Sequence, residues 1–332
     1  MEQVRIGFIG CGNIAQRHFS HLQRIKEARL AAFCDVDELR AAEAAGRFNG
    51  ACYNDYREML EQQPLDAVYV CTPTFAREDQ EVMAAQKGLH VFVEKPVALD
   101  LEKARGNQQA LERSGVIVSV GYILRYLKAV EKMKQFLQGR RVAIAAAKYF
   151  GGLPSMPWFG QIETSGGQVV DQTSHLLDLL GYLLGEAESV SALFSNEIFR
   201  EQTSLNISDS GVVAIRYCNG ALAGIANSCC LNFPGPPPGI FLVGEGFYFE
   251  LSYSNFIVKT AHETREEAVD LSAGYAAENR AFVDAILTGR RELVLCNYAD
   301  GVRTLAVALA ANRAATERRP VTISEMFGAS PG

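Results

Sequence analysis

Val4-Arg5-Ile6-Gly7-Phe8-Ile9-Gly10-Cys11-Gly12-Asn13-Ile14-Ala15 is the stretch that decides the fold. A largely apolar run with strand character leads into Gly-x-Gly-x-x-Ala, and a helical pattern begins at Asn13. In that context Gly10 permits a tight turn, Gly12 lets a backbone approach a pyrophosphate, and small Ala15 lets the helix pack on the sheet. The helix N-terminus, at Asn13 and Ile14, turns free N–H groups and the positive end of a dipole toward phosphate. Asp35 closes the next strand, where a carboxylate accepts hydrogen bonds from both ribose hydroxyls and repels a 2′-phosphate. The cofactor expected is therefore NAD rather than NADP. A ligand-free glycine turn, with Asp35 capping a helix that starts at Val36, is the competing reading and explains fewer of these residues.

Outward from this unit, short β-branched runs alternate with helical stretches. Val4–Ile9, Leu30–Cys34, Ala67–Cys71, His90–Val93 and Val116–Val120 read as strands, with helices from about Asn13 and Val36, which gives five or six parallel strands. After Gly121 the texture changes. Val142–Tyr149, Ser189–Phe194, Gly211–Tyr217, Ala221–Asn227, Gly239–Val243, Phe247–Leu251 and Phe256–Lys259 are strand candidates with few helices between them, and Asn219-Gly220 signals a type I′ hairpin. Helices over Asp171–Leu184, Tyr275–Thr288 and Tyr298–Thr316 are expected to cover one face of that second sheet. The expected fold is α/β: an N-terminal Rossmann doubly wound parallel sheet over residues 1–121, then a C-terminal α+β domain over 122–332 with a large, mostly antiparallel sheet. The proline-rich 234–239 segment reads as a stiff surface loop, and no internal repeat is evident.

Composition agrees. A chain of 332 residues, 48% hydrophobic and 21% charged, can build more than one core. Its net charge of −6 and the absence of a long basic run argue against nucleic acid and anionic membranes as partners. No signal-peptide pattern and no uninterrupted apolar run of roughly 20 residues stand out, so a cytoplasmic protein without membrane attachment is expected. Eight cysteines without a Cys-x-x-Cys pair read as reduced and buried, and no metal site is expected.

The third strand ends in Cys71-Thr72-Pro73 and the fourth in Glu94-Lys95-Pro96, so Thr72, Pro73, Glu94 and Lys95 belong to the carboxyl edge of the sheet, where ligands bind. A lysine there can donate a hydrogen bond to a reacting hydroxyl or carbonyl, and the proline after it is a candidate for a cis peptide. Taken alone, Lys95 reads as an ordinary solvated lysine. Asp171 and His175, four apart at the start of a leucine-rich stretch, are expected on one helix face, where a carboxylate can orient an imidazole. The bland alternative is a helix-terminal acid and a buried histidine beside a core stripe of Leu176, Leu179, Leu180 and Leu183.

Together with Gly166-Gly167-x-x-x-Asp171-x-x-x-His175, these motifs give a chain that resembles, over nearly its whole length, the family of glucose-fructose oxidoreductase and inositol dehydrogenase (Gfo/Idh/MocA). The resemblance implies a two-domain oxidoreductase acting on a sugar, cyclitol or related polyol, with the active site between the domains. It implies that His175 takes a hydroxyl proton as hydride leaves for nicotinamide, that Lys95 polarises the same oxygen and that Asp171 positions the substrate. It also implies a homodimer or homotetramer. Tyr122, Arg125 and Tyr126 match the domain crossover, and with Trp158, the only tryptophan, are candidates for the substrate crevice, packing roles being equally open. His90 reads as structural; His18, His21 and His262 show no companion pattern. Two departures stand out. Arg77, followed by Glu78-Asp79, occupies a position where relatives commonly carry histidine, and Thr173 one where many carry glycine. Two further readings remain at this stage: an enzyme that retains NAD and uses transient oxidation for elimination, hydrolysis or epimerisation of a sugar, and a non-catalytic NAD-binding regulator.

Overall fold

A computed structural model describes residues 3–202 and 204–328. In chain order the elements are β1 (Val4–Ile9), α1 (Asn13–Leu22), β2 (Ala28–Cys34), α2 (Glu38–Phe48), β3 (Ala51–Tyr53), α3 (Tyr56–Gln62), β4 (Ala67–Val70), α4 (Gln80–Gln86), β5 (His90–Val93), α5 (Leu101–Ser114), β6 (Val118–Val120) and α6 (Lys128–Leu137). There follow β7 (Val142–Phe150), α7 (Ile162–Ser165), α8 (Gln168–Asp171), α9 (Ser174–Leu184), β8 (Ala187–Ser195), β9 (Ser210–Tyr217), β10 (Leu222–Ser228), β11 (Gly239–Gly244), β12 (Phe247–Ser252), β13 (Asn255–Thr260) and β14 (Thr264–Ala268). The last elements are α10 (Leu271–Thr288), α11 (Tyr298–Glu317), β15 (Val321–Thr322) and α12 (Ile323–Met326). The contacts divide the chain into two compact units, one built from residues up to 98, 102–126 and 272–302, the other from 99–101, 127–271 and 303 onward.

In the first unit six parallel strands run in the order β3-β2-β1-β4-β5-β6. The order reverses between β1 and β4, which makes their carboxyl ends the switch point where such sheets bind ligands. β3 lies outside the strands read from sequence, because three residues carry no usable periodicity. Val4, Ile6 and Phe8 alternate into a fully buried core, where Tyr69 stacks on Phe92 at 4.5 Å and on Phe8 at 4.8 Å.

α10 corrects the sequence reading. The helix expected to cover the second sheet instead buries Phe282, Val283 and Ile286 in the core of the first unit, with Phe282 edge-on to Tyr69 at 5.6 Å. Each such side chain contributes about 1.5–3 kcal/mol, and an apolar stripe states only that a helix is buried, not against what. α2 also starts later than expected: Asp37, not Asp35, caps it by accepting from the N–H groups of Leu39 (3.1 Å) and Arg40 (3.4 Å), and Val36 stays outside.

The second unit carries a nine-stranded sheet, β14-β13-β12-β11-β7-β10-β9-β8-β15, antiparallel except for the β7/β10 pair. One face is buried through Ala145, Val213, Ile215, Ala223 and Ile225, with α8 and α9 packed on it. The type I′ expectation is also corrected: only Gly220 takes a positive φ (+88°), and its N–H donates to the Tyr217 carbonyl at 2.9 Å. That is a three-residue loop with a left-handed glycine, for which Asn219 need not leave negative φ. Among the described residues one helical stretch, Arg291–Glu317, is long and apolar enough to cross a bilayer, and half of its apolar 18-residue window is buried within the protein itself.

Candidate active site

Gly10 adopts φ +90°, and a Cβ there would stand 2.8 Å from the Cys71 carbonyl carbon, so β1 and the end of β4 approach as only glycine allows. The loop is tied down by Asp35, whose Oδ2 accepts from the Cys11 N–H at 2.7 Å and whose Oδ1 accepts from the Asp37 N–H at 2.9 Å. The carboxylate predicted to read a ribose thus also locks the turn that would hold the pyrophosphate, with lone pairs to spare. Gly12 is the N-cap of α1, and a Cβ on it would meet nothing within 4 Å. Open space therefore lies over a helix N-terminus whose first N–H groups, including those of Asn13 and Ile14, have no partner within the helix. These residues fit a dinucleotide. Burial first, and the Asp35 charge second, push the Cys11 thiol up to about 12; Cys34 is likewise raised to about 12, by burial and then the Asp55 charge. Neither is a nucleophile. All eight cysteines are free, but Cys52 and Cys218 are exposed, against the expectation of burial.

The ends of β4 and β5 form the second part of this edge. Thr72 donates from Oγ1 to Gln80 Oε1 at 2.8 Å, Pro73 is exposed, and the Lys95–Pro96 peptide is cis, as the sequence suggested. Lys95 is part-exposed while Glu94 and Pro96 around it are buried. The Glu94 carboxylate accepts from the Lys95 N–H at 3.2 Å and meets His18 Nε2 at 2.9 Å. Gly121 makes room for it, since a Cβ there would come 2.9 Å from that carboxyl group. Asn279 donates to the Tyr275 carbonyl at 2.7 Å, which turns its Oδ1 toward the Tyr69 hydroxyl (2.9 Å) and His18 Nδ1 (3.1 Å). His18 Nδ1 is therefore the donor in that contact. The sequence reading missed His18 as a partner of Glu94; its position three residues after Ala15, on the helix face that packs on the sheet, was the available signal.

In the second unit the expectation of a single helix through Asp171 and His175 is corrected. Asp171 ends the four-residue α8, Gln172 and Thr173 intervene, and His175 lies in the first turn of α9. The Thr173 N–H donates to the Gln168 carbonyl five residues back, at 2.9 Å, and the Ser174 hydroxyl to the Asp171 carbonyl at 3.1 Å. Within this segment Asp171, Gln172 and His175 are part-exposed, while Val170, Thr173, Ser174 and Leu176 are buried. Tyr149, on the buried face of β7, joins them: burial and then the Asp171 charge raise its phenol above the usual range. Nothing in the sequence marked it. Alongside, Asn227 donates to Gln168 Oε1 at 2.7 Å, anchoring α8 to β10.

The remaining candidates have structural partners. Tyr122 is buried, and buried Arg125 donates to the Leu295 carbonyl at 2.6 Å and lies 3.4 Å from Asp300, all within the first unit. Trp158 is half-buried against a small cluster of Phe159, Phe199, Ile207 and Cys229. His90 accepts from the Ile117 N–H at 3.0 Å between neighbouring strands. Among the described residues no group of three or more His, Cys, Asp or Glu is arranged to hold a metal.

Residues 4–122 match the model of an oxidoreductase family with an NAD-binding Rossmann fold, and residues 139–323 match that family's C-terminal alpha/beta domain. Myo-inositol 2-dehydrogenase of Thermotoga maritima is 28% identical, the match covering 98% of this chain and 100% of that protein. scyllo-Inositol 2-dehydrogenase (NAD(+)) of Bacillus subtilis is 26% identical over 97% of both chains. Among solved structures, the WlbA dehydrogenase from Bordetella pertussis, in complex with NADH and UDP-GlcNAcA, is 25% identical with a TM-score of 0.81, covering 96% of this chain and 98% of that one. The chain is thus a member of the Gfo/Idh/MocA oxidoreductase family, and its first unit is an NAD-binding Rossmann domain.

Proposed function

We propose that this protein moves a hydride between NAD and a secondary hydroxyl, or the corresponding ketone, of a sugar, cyclitol or related polyol. The observation that carries the reading is the sharing of one sheet edge by the Asp35-locked glycine cradle and the Glu94-Lys95-Pro96 turn. The inositol dehydrogenases and the sugar-nucleotide complex among its relatives support the substrate class. NAD held by Gly10, Gly12, Asn13, Ile14, Asp35, Thr72 and Pro73 supplies the hydride acceptor. His175 takes the hydroxyl proton, Lys95 donates a hydrogen bond to the same oxygen as it becomes a carbonyl, and Asp171 orients the imidazole and the polyol.

The test is a screen of NAD reduction against inositols, hexoses, anhydro sugars, sugar acids and nucleotide sugars, followed by Lys95→Ala and His175→Ala on the most active substrate. Each variant is expected to lose about 10²-fold or more in kcat while NADH binding, read by fluorescence titration, stays near wild type. Full activity in both variants overturns the assignment. Turnover of a sugar without net NADH release selects the NAD-retaining reading, and tight NADH binding with no turnover of any substrate selects the regulator. A second copy of this chain is the partner we propose for the bare face of the nine-stranded sheet, where Ile144, Leu222 and Val243 lie in one cross-strand row.

A further inference from the structure

Arg77, at the position where the resembled family commonly carries histidine, is buried and hydrogen-bonded to the turn that carries Lys95. Arg77 follows the single turn Thr74–Ala76 and is 2% exposed. Its Nε donates to the Thr72 carbonyl at 3.1 Å and its Nη1 to the Pro96 carbonyl at 2.7 Å. Its own carbonyl accepts from Lys103 Nζ. The acidic residues beside it face elsewhere: Glu78 pairs with Arg57 at 2.6 Å, and Asp79 accepts from the Tyr56 hydroxyl. A guanidinium this buried is costly unless its donors are used, and two of them are used here, each on a backbone carbonyl from a different turn of the cofactor edge. A guanidinium suits such a pair because its donors are fixed in a planar fork, whereas a lysine ammonium is a single point and an imidazole presents two donors only when protonated.

We propose that Arg77 is a positioning residue, a guanidinium clamp that ties the Thr72-Pro73 turn to the Lys95-Pro96 turn and so fixes where the Lys95 side chain stands. The Lys95 backbone is then held on both sides, by Glu94 at its own N–H and by Arg77 through the carbonyl of the next residue. Glycine cradle and Asp35 are untouched by the clamp, while Thr72 and Pro73 belong to it, so its loss should cost the dinucleotide only the smaller share of its grip that this turn gives and should spoil chiefly the geometry of the reacting end. The proposal rests on the reading of Lys95 as the group that meets the substrate oxygen.

Arg77→Ala, which leaves a guanidinium-sized space between two carbonyls, and Arg77→Lys, which keeps the charge, are compared with wild type by hydrogen exchange. The segments 72–77 and 94–97 should loosen together in the alanine variant, and low guanidinium chloride, but not equal sodium chloride, should restore them. On the best substrate of the screen, Arg77→Ala should lose about 10²-fold in kcat, the cost of a misplacement near 1 Å, with NADH affinity within about threefold and kcat recovered by guanidinium. Arg77→Lys, the milder variant if alanine folds poorly, should fall between. Unchanged exchange, loosening of one segment alone, a rise spread over the whole unit, or kcat and NADH affinity falling in step would each overturn the clamp. Full activity of Lys95→Ala would instead sink the Lys95 reading, while the exchange result would still decide whether the two turns are tied.

Discussion

A methyl group on Gly10 would press on the Cys71 carbonyl carbon at 2.8 Å, while one on Gly12 would enter open space. The two glycines of one motif therefore serve different needs, and substitution separates them. Gly10→Ala, strained at φ +90° as well, should lose about 1–3 kcal/mol of stability, read as a lowered Tm. Gly12→Ala should fold with Tm no lower than wild type and yet bind NADH about tenfold more weakly or worse, a loss of at least about 1.4 kcal/mol, in a fluorescence titration. Weakened stability without loss of affinity in Gly12→Ala would show that the cradle does not hold phosphate. Glycine and aspartate of this kind are legible in a sequence because their residue type and spacing are the requirement. The spacing of His18 from Ala15 marked it only as packed on the sheet, because its partners Glu94 and Asn279 come from distant parts of the chain, and nothing local marked Tyr149 as a neighbour of Asp171.

Among the elements, those whose signal is local were read well. β1 and β5 occupy the residues their apolar runs mark, and the strands expected in the second unit, β7 to β13, lie within a residue or two of expectation, while β14 and β15 were not expected. The misses share a cause. β14 is exposed along its whole length as the charged edge of its sheet, so no alternation betrays it, and α8 breaks from α9 through a carbonyl accepting from five residues ahead, which no periodicity encodes. At the other end of the chain α12 opens on a capping box in which Thr322 and Glu325 satisfy each other's backbone N–H groups. The hydrogen bond from Arg319, then that from the Thr322 N–H, holds the Glu325 carboxyl down at about 2. A carboxyl depressed on folding contributes stability that is fully present above its unfolded pKa and is lost as pH falls through the folded value. Tm followed from about pH 5 down toward pH 2 should fall less steeply in Glu325→Gln than in wild type. Parallel slopes in the two proteins would remove this carboxylate from the acid response.

At the scale of the whole molecule the second unit leaves one sheet face uncovered. Leu193 (76% exposed) is the direct cross-strand neighbour of Val212, and the Leu222, Ile144 and Val243 row continues the apolar surface on the same face. A flat apolar face beside a charged edge strand suits a second copy packing face to face. Size-exclusion chromatography with light scattering should find an oligomer in the wild type and a smaller species in Leu193→Lys/Val212→Lys with NADH affinity retained; a monomeric wild type would remove the proposal. The sequence by itself determined the Rossmann unit, the mostly antiparallel second sheet, an NAD-binding motif and the residue types of the proposed chemistry, because short-range periodicity and close motif spacing carry those. Only the tertiary structure decided that α10 returns to the first unit's core, that His18 stands under Glu94 and that Arg77 joins two turns. Those outcomes rest on burial and hydrogen-bond partners brought together by folding, and a linear pattern says that a side chain needs a partner without saying which one it will meet.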